Sequence, residues 1–124
     1  MAANDIREKG PLSLPLKSGV PILKGQRVTL DADGLLAVAG SSELGVGVAC
    51  YDGTYGLGIA DNVLAVDLFN EGGSFPVTAS GSITKGSKVQ LASTGRVAAL
   101  SDGTAVGIAR EAATNGQTFR VIFY

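Results

Sequence analysis

The side chains of this sequence that could do acid–base chemistry are mostly carboxylates, because its 124 residues include no histidine and one cysteine. Two carboxyl groups held close together can act as general acid and general base. Four residues could supply such a pair in principle: Asp61, Asp67, Glu71 and Glu111. Nothing in their spacing brings two of them together, so we expect solvated surface charges. Without histidine, the chain also lacks the commonest metal ligand and any Ser-His-Asp triad.

Two kinds of short glycine motif match ligand-binding loops only in part. If the glycine of Asp31-Ala32-Asp33-Gly34 is the sixth position of a calcium loop, the first is Thr29 and the twelfth is Gly40, so the carboxylates at both ends are missing. Gly45-Val46-Gly47 and Gly56-Leu57-Gly58 are fragments of a phosphate loop without its third glycine or lysine. We interpret these glycines as turn or close-packing residues, and we expect no metal, no cofactor and no enzyme activity.

Cys50 and two tyrosines are the other side chains with distinctive chemistry. Cys50 ends the apolar run 46–50, which predicts a buried and unreactive thiol. A lone cysteine forms no intramolecular disulfide, which fits synthesis in a reducing cytoplasm. Tyr51 and Tyr55 follow in a glycine-rich stretch. Because tyrosine is enriched at contacts, the two could form a partner-contact or sugar-stacking patch, and the alternative is an ordinary packed loop.

The elements that must position these residues come from an internal repeat. Residues 22–39 (ILKGQRVTLDADGLLAVA) align with residues 83–100 (ITKGSKVQLASTGRVAAL) at a spacing of 61, and Arg27 keeps its charge as Lys88. Further along, a Gly-Val-Ala segment matches a Gly-Ile-Ala segment. The identical pairs of the first alignment are Ile22/Ile83, Lys24/Lys85, Gly25/Gly86, Val28/Val89, Leu30/Leu91, Gly34/Gly95 and Ala37/Ala98.

The repeat predicts the fold class. Two copies are too few for a solenoid, which needs three or more. We therefore predict one mainly β domain over residues 12–124, barrel-like or sandwich-like, with little helix. It would be built from two similar β units at 22–69 and 83–124, whose halves pair into a closed core.

Glycine turns separate the strands predicted within each unit. Lys24-Gly25 and Lys85-Gly86 precede a V-x-L strand, and glycine there permits the positive φ of a tight turn. Asp33-Gly34 and Thr94-Gly95 make the next turn, since Asp-Gly is a strong hairpin signal. Gly25, Gly34, Gly86 and Gly95 are therefore the predicted structural turn residues.

The first 16 residues divide into a polar arm and a strand. Residues 1–11 carry mixed charge without an apolar period, which predicts a loose arm. Leu12, Leu14 and Leu16 then alternate on one face of a strand. Pro15 has no N–H to donate, so this strand should lie at the edge of a sheet.

Composition excludes two classes of partner. The net charge is −1 and no basic block is present, which argues against nucleic acid and against an anionic membrane surface. No stretch approaches the roughly 20 apolar residues of a membrane span. Charged residues make up only 17% of the chain, so apolar surface is left that a protein partner could cover.

The ordered pattern I-x-K-G-x-x-V-x-L-(x3)-G, then G-V/I-A, then a closing V-x-L-F or V-I-F strand, resembles a family of small tailed-phage structural proteins, the capsid cement or decoration proteins. The likeness covers about residues 12–124. It implies a mainly β homotrimer on the exterior of the virion that clamps neighbouring major capsid protein subunits after head expansion. Related decoration proteins of the lambda type add a strand to the shell with an N-terminal arm.

That resemblance makes residues 1–16 a candidate arm, although Pro11 and Pro15 limit the backbone ladder it can form. The partner-contact residues expected from the arm, the strand that follows it and the tyrosine pair are Ile6, Leu12, Leu14, Leu16, Tyr51 and Tyr55.

Two alternatives stay open beside the cement protein. One is a non-catalytic β module that binds carbohydrate or a cell surface, with Tyr51 and Tyr55 as its contact residues. The other is a non-catalytic barrel domain or subunit of a larger enzyme, since the K-G-x-x-V hairpin also suits barrel-sandwich domains.

Overall fold

A computed structural model describes residues 10–56 and 62–124, and its first five strands form one antiparallel sheet. The strand order is β1-β5-β4-β2-β3, so β1 lies at an edge, as its proline predicts. A short 3-10 helix, Phe69–Glu71, follows the sheet. The strands are β1 Leu12–Pro15, β2 Arg27–Leu30, β3 Leu36–Val38, β4 Gly47–Ala49 and β5 Val63–Leu68.

The next five strands form a second antiparallel sheet with the same topology. Its order is β6-β10-β9-β7-β8, which is the order of the first sheet with five added to every strand number. The predicted mainly β fold with two similar units is therefore confirmed. The strands are β6 Ser74–Thr78, β7 Lys88–Leu91, β8 Val97–Ala99, β9 Gly107–Ala109 and β10 Thr118–Phe123.

Strand registers are also the same in the two sheets, and this equivalence reaches beyond the repeat visible in the sequence. It includes β1 and β6, which precede the aligned segments. We therefore call residues 10–69 the first half and residues 74–124 the second half. The matching pairs are Leu14 with Leu64 and Val77 with Phe119, Val28 with Gly47 and Val89 with Gly107, and Ala49 with Val66 and Ala109 with Val121.

The Lys-Gly turns have the backbone that their glycines permit. Gly25 has a φ of 87° and Gly86 a φ of 83°, in the left-handed region that side chains with a Cβ rarely adopt. The amide of each glycine donates to the last carbonyl of a neighbouring strand, Gly25 to Ala49 of β4 and Gly86 to Ala109 of β9, at 3.0 and 2.8 Å. Each turn is therefore hydrogen-bonded to the sheet just before the hairpin begins.

Each half has its own apolar core, formed by the alternate residues of its strands, so the prediction that the halves pair into one closed core is wrong. In β10, Phe119 and Val121 are buried while Arg120 and Ile122 are exposed. The first core contains Leu16, Ile22, Val28, Leu36, Ala49, Leu64 and Val66. The second core contains Phe75, Val77, Ala79, Ile83, Val89, Val97, Ala109, Ala113, Phe119 and Val121, and Val48 of the first sheet joins it.

Arg27 links the two halves. Its guanidinium is fully buried, and it donates to the carbonyls of Ala92 and Arg96 in the β7–β8 turn at 2.8 and 3.0 Å. The same group donates to Gly40 and Glu43 in its own half. Burial lowers the pKa of Arg27 to about 10, so the group stays charged at neutral pH. A buried cation whose donors are satisfied in this way holds the halves in one arrangement.

Backbone groups strengthen the same contact. The amide of Arg27 donates to the carbonyl of Gly95 at 2.8 Å, and the amide of Gly95 donates to Ala39 at 2.9 Å. The amide of Thr78 donates to the carbonyl of Gly25 at 3.0 Å. The halves therefore meet along hydrogen-bonded backbone as well as through the second core.

Candidate interaction surfaces

The structure separates the three leucines that the sequence placed together at a partner contact. Leu12 and Leu14 are half-buried and line one side of a surface groove. Leu16, in contrast, is 2% exposed and fills the first core, so the expectation that it contacts a partner is wrong. Ile6 lies outside the described residues.

The groove is an apolar depression of about 370 Å³ in the first half. Leucine side chains from β1, β2 and β5 supply half of its lining, and Phe69 is the one aromatic residue in it. Its lining residues are Leu12, Leu14, Leu30, Gly45, Val46, Leu68, Phe69 and Asn70. The lining offers few polar groups and no charged side chain, so it suits an apolar or aromatic group of a partner better than a polar small molecule.

The groove exists because two equivalent positions carry leucine in the first half and phenylalanine in the second. By strand register, Leu12 is equivalent to Phe75 and Leu68 is equivalent to Phe123. In the second half these two phenylalanines contact Phe69, with ring centroids 5.0 Å apart for Phe75 and 4.9 Å apart for Phe123. The cluster of Phe69, Phe75 and Phe123 fills this place in the second half. At the equivalent place in the first half, the smaller side chains of Leu12 and Leu68 leave the groove.

The second half presents an apolar outer surface. Ile108 of β9 lies opposite Ile122 of β10, and the two are 40% and 48% exposed. Tyr124 follows β10 and is 68% exposed, and Lys88 lies beside Ile108 on β7. We call Lys88, Ile108, Ile122 and Tyr124 the outer face. Sequence reasoning missed it, although the alternation of β10 assigns Ile122 to the side opposite Val121.

Tyr51 and Tyr55 are both exposed, 65% and 47% respectively. They follow β4 in the chain, and neither lines the groove. Part of the glycine-rich stretch that carries them, residues 57–61, lies outside the described residues. The pair is available to a partner, but no described contact joins the two rings to each other.

In the part of the chain that is described, no three or more histidine, cysteine, aspartate or glutamate side chains come together as a metal ion would require. Asp61 lies outside the described residues. Asp31 instead accepts from the backbone amides of Asp33 and Leu35 at 2.9 and 3.0 Å, so it closes its own hairpin turn. Lys17 donates to its other oxygen at 2.9 Å. The hydrogen bond from Lys17 and the amide of Leu35 lower the pKa of Asp31, and the same carboxylate raises the pKa of Lys17.

Cys50 is half-buried, so the expectation of a fully buried thiol is wrong. It follows the last residue of β4 and lies near Asp67. Partial burial and the negative charge of Asp67 raise the pKa of the thiol. A raised pKa keeps the thiol protonated at neutral pH, which disfavours nucleophilic chemistry.

No helix in residues 10–56 and 62–124 has the length and apolar character needed to cross a membrane.

No protein-family model matches this chain, and no curated protein matches it by sequence. Among solved structures, it is similar to the crystal structure of the head fiber gp8.5 N base of bacteriophage phi29. The TM-score is 0.71, and the match covers 93% of this chain and 95% of that chain. Sequence identity is 18%. The two chains therefore share a fold over nearly their whole lengths.

Proposed function

We propose that this protein is an accessory structural protein of a tailed-phage head. It would bind the exterior of the expanded shell and stabilise contacts between major capsid protein subunits, as a homotrimer and without any catalytic role. The observation that carries this proposal is the fold shared with the base of a phage head fiber over 93% of the chain. The glycine and apolar pattern of the repeat, which resembles capsid cement proteins, supports it independently.

The surfaces of the molecule suit such a role. A protein that stabilises a shell needs a rigid fold and contacts that symmetry repeats many times, so that weak individual contacts add up. The groove and the outer face each supply an apolar patch, and the buried Arg27 contacts keep the halves rigid with respect to each other. Binding to the expanded shell alone would stabilise that state by mass action.

Co-sedimentation of the pure protein with heads of the phage that encodes it tests the proposal. We expect saturable binding to expanded heads and much weaker binding to unexpanded heads. A variant that lacks residues 1–10 should stay folded and bind more weakly, with the loss multiplied over the contacts of an oligomer. Equal binding by the truncated variant would remove the gripping role of residues 1–10 and leave the head-binding proposal in place.

The exposure of Tyr51 and Tyr55 favours one second candidate, a carbohydrate-binding module. Exposed aromatic rings stack on sugars in such modules, and both rings are accessible here. A glycan array separates the two functions. Binding to a defined glycan that is lost in Tyr51→Ala and Tyr55→Ala, with no binding to heads, would favour the module.

A further inference from the structure

The two halves contact each other through different surfaces: the first half uses the side that carries Phe69, and the second half uses the side that carries Phe75 and Phe123. Each half also has the surface that the other one uses, and among the described residues those two remaining surfaces make no such contact. Phe69 and Tyr124 show this most clearly. Each follows the last strand of its half, and each donates its backbone amide to the equivalent carbonyl, Val46 or Val106, at 3.0 Å. Phe69 packs into the second half against Phe75 and Phe123, whereas Tyr124 is 68% exposed.

The place that would receive Tyr124 is also present, and none of residues 10–56 and 62–124 fills it. The equivalents of Phe75 and Phe123 are Leu12 and Leu68, which line the groove of about 370 Å³. An apolar cavity of about 150 Å³ holds a benzene ring, so the groove has room for the ring of a tyrosine. A tyrosine that enters it would repeat the contact that Phe69 makes within the chain.

Two other residues of the outer face are also equivalent to residues that lie in the contact between the halves. Ile108 is equivalent to Val48, which is buried in the second core, and Lys88 is equivalent to the buried Arg27. Arg27 contacts the β7–β8 turn, and the equivalent β2–β3 turn carries Asp31 and Asp33. A contact that repeats the one within the chain would therefore bring Lys88 towards Asp33 and towards Asp31, which already accepts from Lys17. The acidic turn complements the charge of Lys88.

We propose that this protein associates head to tail with a second copy of itself, through insertion of Tyr124 of one copy into the groove of the next. This inference deepens the self-association within the proposed function, but it does not depend on binding to a phage head. Because each copy then has one free outer face and one free groove, the contact propagates until it closes into a ring or continues as a filament.

The proposed contact between two copies lacks one hydrogen bond that the contact between the halves of one chain has. The contact between copies is therefore the weaker of the two. The amide of Thr78 donates to Gly25 between the halves, and the residue equivalent to Thr78 is Pro15, which has no N–H. We therefore expect association that depends on protein concentration in the pure protein.

Sedimentation velocity over a wide concentration range tests the inference with three variants. Tyr124→Ala removes the inserted side chain, and Leu30→Lys places a charge at the rim of the groove, where Leu30 is 38% exposed. Each variant alone should raise the dissociation constant about tenfold or more, as the loss of a central aromatic anchor does. Tyr51→Ala is the matched control, because Tyr51 is similarly exposed and belongs neither to the groove lining nor to the outer face.

Mixing the two variants gives the sharpest result. A Tyr124→Ala chain keeps an intact groove and a Leu30→Lys chain keeps an intact Tyr124, so the mixture should form one-to-one pairs and nothing larger. Circular dichroism and thermal midpoints equal to those of the wild type establish that both variants are folded. If either variant loses the wild-type fold, Leu12→Gln and Ile108→Asp serve as second groove and face variants.

Three results would overturn the inference. They are a wild type that stays monomeric at every concentration, unchanged association of Tyr124→Ala, and mixed variants that do not pair. A monomeric wild type overturns the inference for the intact protein even if a variant without residues 1–9 associates. Head binding by a monomer would contradict this inference without contradicting the head-accessory role.

Discussion

Arg27 and Lys88 occupy equivalent strand positions, opposite Val48 and Ile108, yet Arg27 is fully buried between the two halves and Lys88 is exposed. The difference lies in what surrounds each residue. The guanidinium of Arg27 donates to carbonyls of both halves, and its planar fork satisfies them in one geometry. The two halves have the same topology, but among the described residues only the first half has at this position a residue that donates hydrogen bonds to the other half.

Arg27→Ala should destabilise the protein by about 2–4 kcal/mol, because it removes the hydrogen bonds from Arg27 to carbonyls of both halves and opens a cavity. Lys88→Ala, at the equivalent exposed position, should change the free energy of unfolding by less than about 0.5 kcal/mol. Urea denaturation of the two variants measures both values. Equal effects would show that Arg27 does not hold the halves together.

Gly95→Ala should be more destabilising than Gly34→Ala. Both glycines have positive φ, 69° and 77°, so both substitutions carry a backbone cost of about 1–2 kcal/mol. A Cβ at Gly95 would also lie 2.8 Å from the carbonyl oxygen and 3.0 Å from the amide nitrogen of Arg27, whereas a Cβ at Gly34 meets no atom within 4 Å. Thermal midpoints of the two variants check the order, and the reverse order would contradict the contact between the halves.

The Lys17–Asp31 pair predicts a pH dependence of stability at both ends of the scale. The pKa of Asp31 is lowered by folding, so its contribution is present above the ordinary aspartate pKa of about 3.9 and is lost as pH falls through the lower folded value. The pKa of Lys17 is raised, so its contribution is lost as pH rises through a value above about 10.4. The pair is solvent-exposed, so the effect should be small.

Asp31→Asn isolates that effect. The difference in urea midpoint between the wild type and Asp31→Asn should be largest near neutral pH and should shrink below about pH 4. A difference that stays constant down to pH 2 would mean that the hydrogen bonds to Asp33 and Leu35, rather than its charge, give Asp31 its role.

Cys50 should react slowly with thiol reagents at pH 7, since burial and Asp67 raise its pKa. Asp67→Asn removes the negative charge and should increase the labelling rate. Rates measured by mass spectrometry on the native proteins, with urea-unfolded protein as reference, check this order. Labelling of the native wild type as fast as the unfolded chain would contradict the half-buried placement.

Local signals were enough to predict the β units and their turns, because positions such as Gly25 and Gly86 depend on backbone geometry that glycine permits. The equivalence of β1 and β6 was not visible, since Leu12 and Phe75 share only apolar character. The burial of Arg27 was hidden too, because an Arg/Lys pair looks symmetric along the chain. Packing between the halves decides such features, and the groove depends on the volume difference between Leu68 and Phe123.

Cryo-electron microscopy of expanded heads that lack this protein, imaged with and without the pure protein added, tests the central claim most directly. The account predicts added density on the outer surface of the shell, at symmetric positions between major capsid subunits, into which the two-sheet fold of residues 10–56 and 62–124 fits. Shells that show no added density at a saturating concentration of folded protein would contradict it.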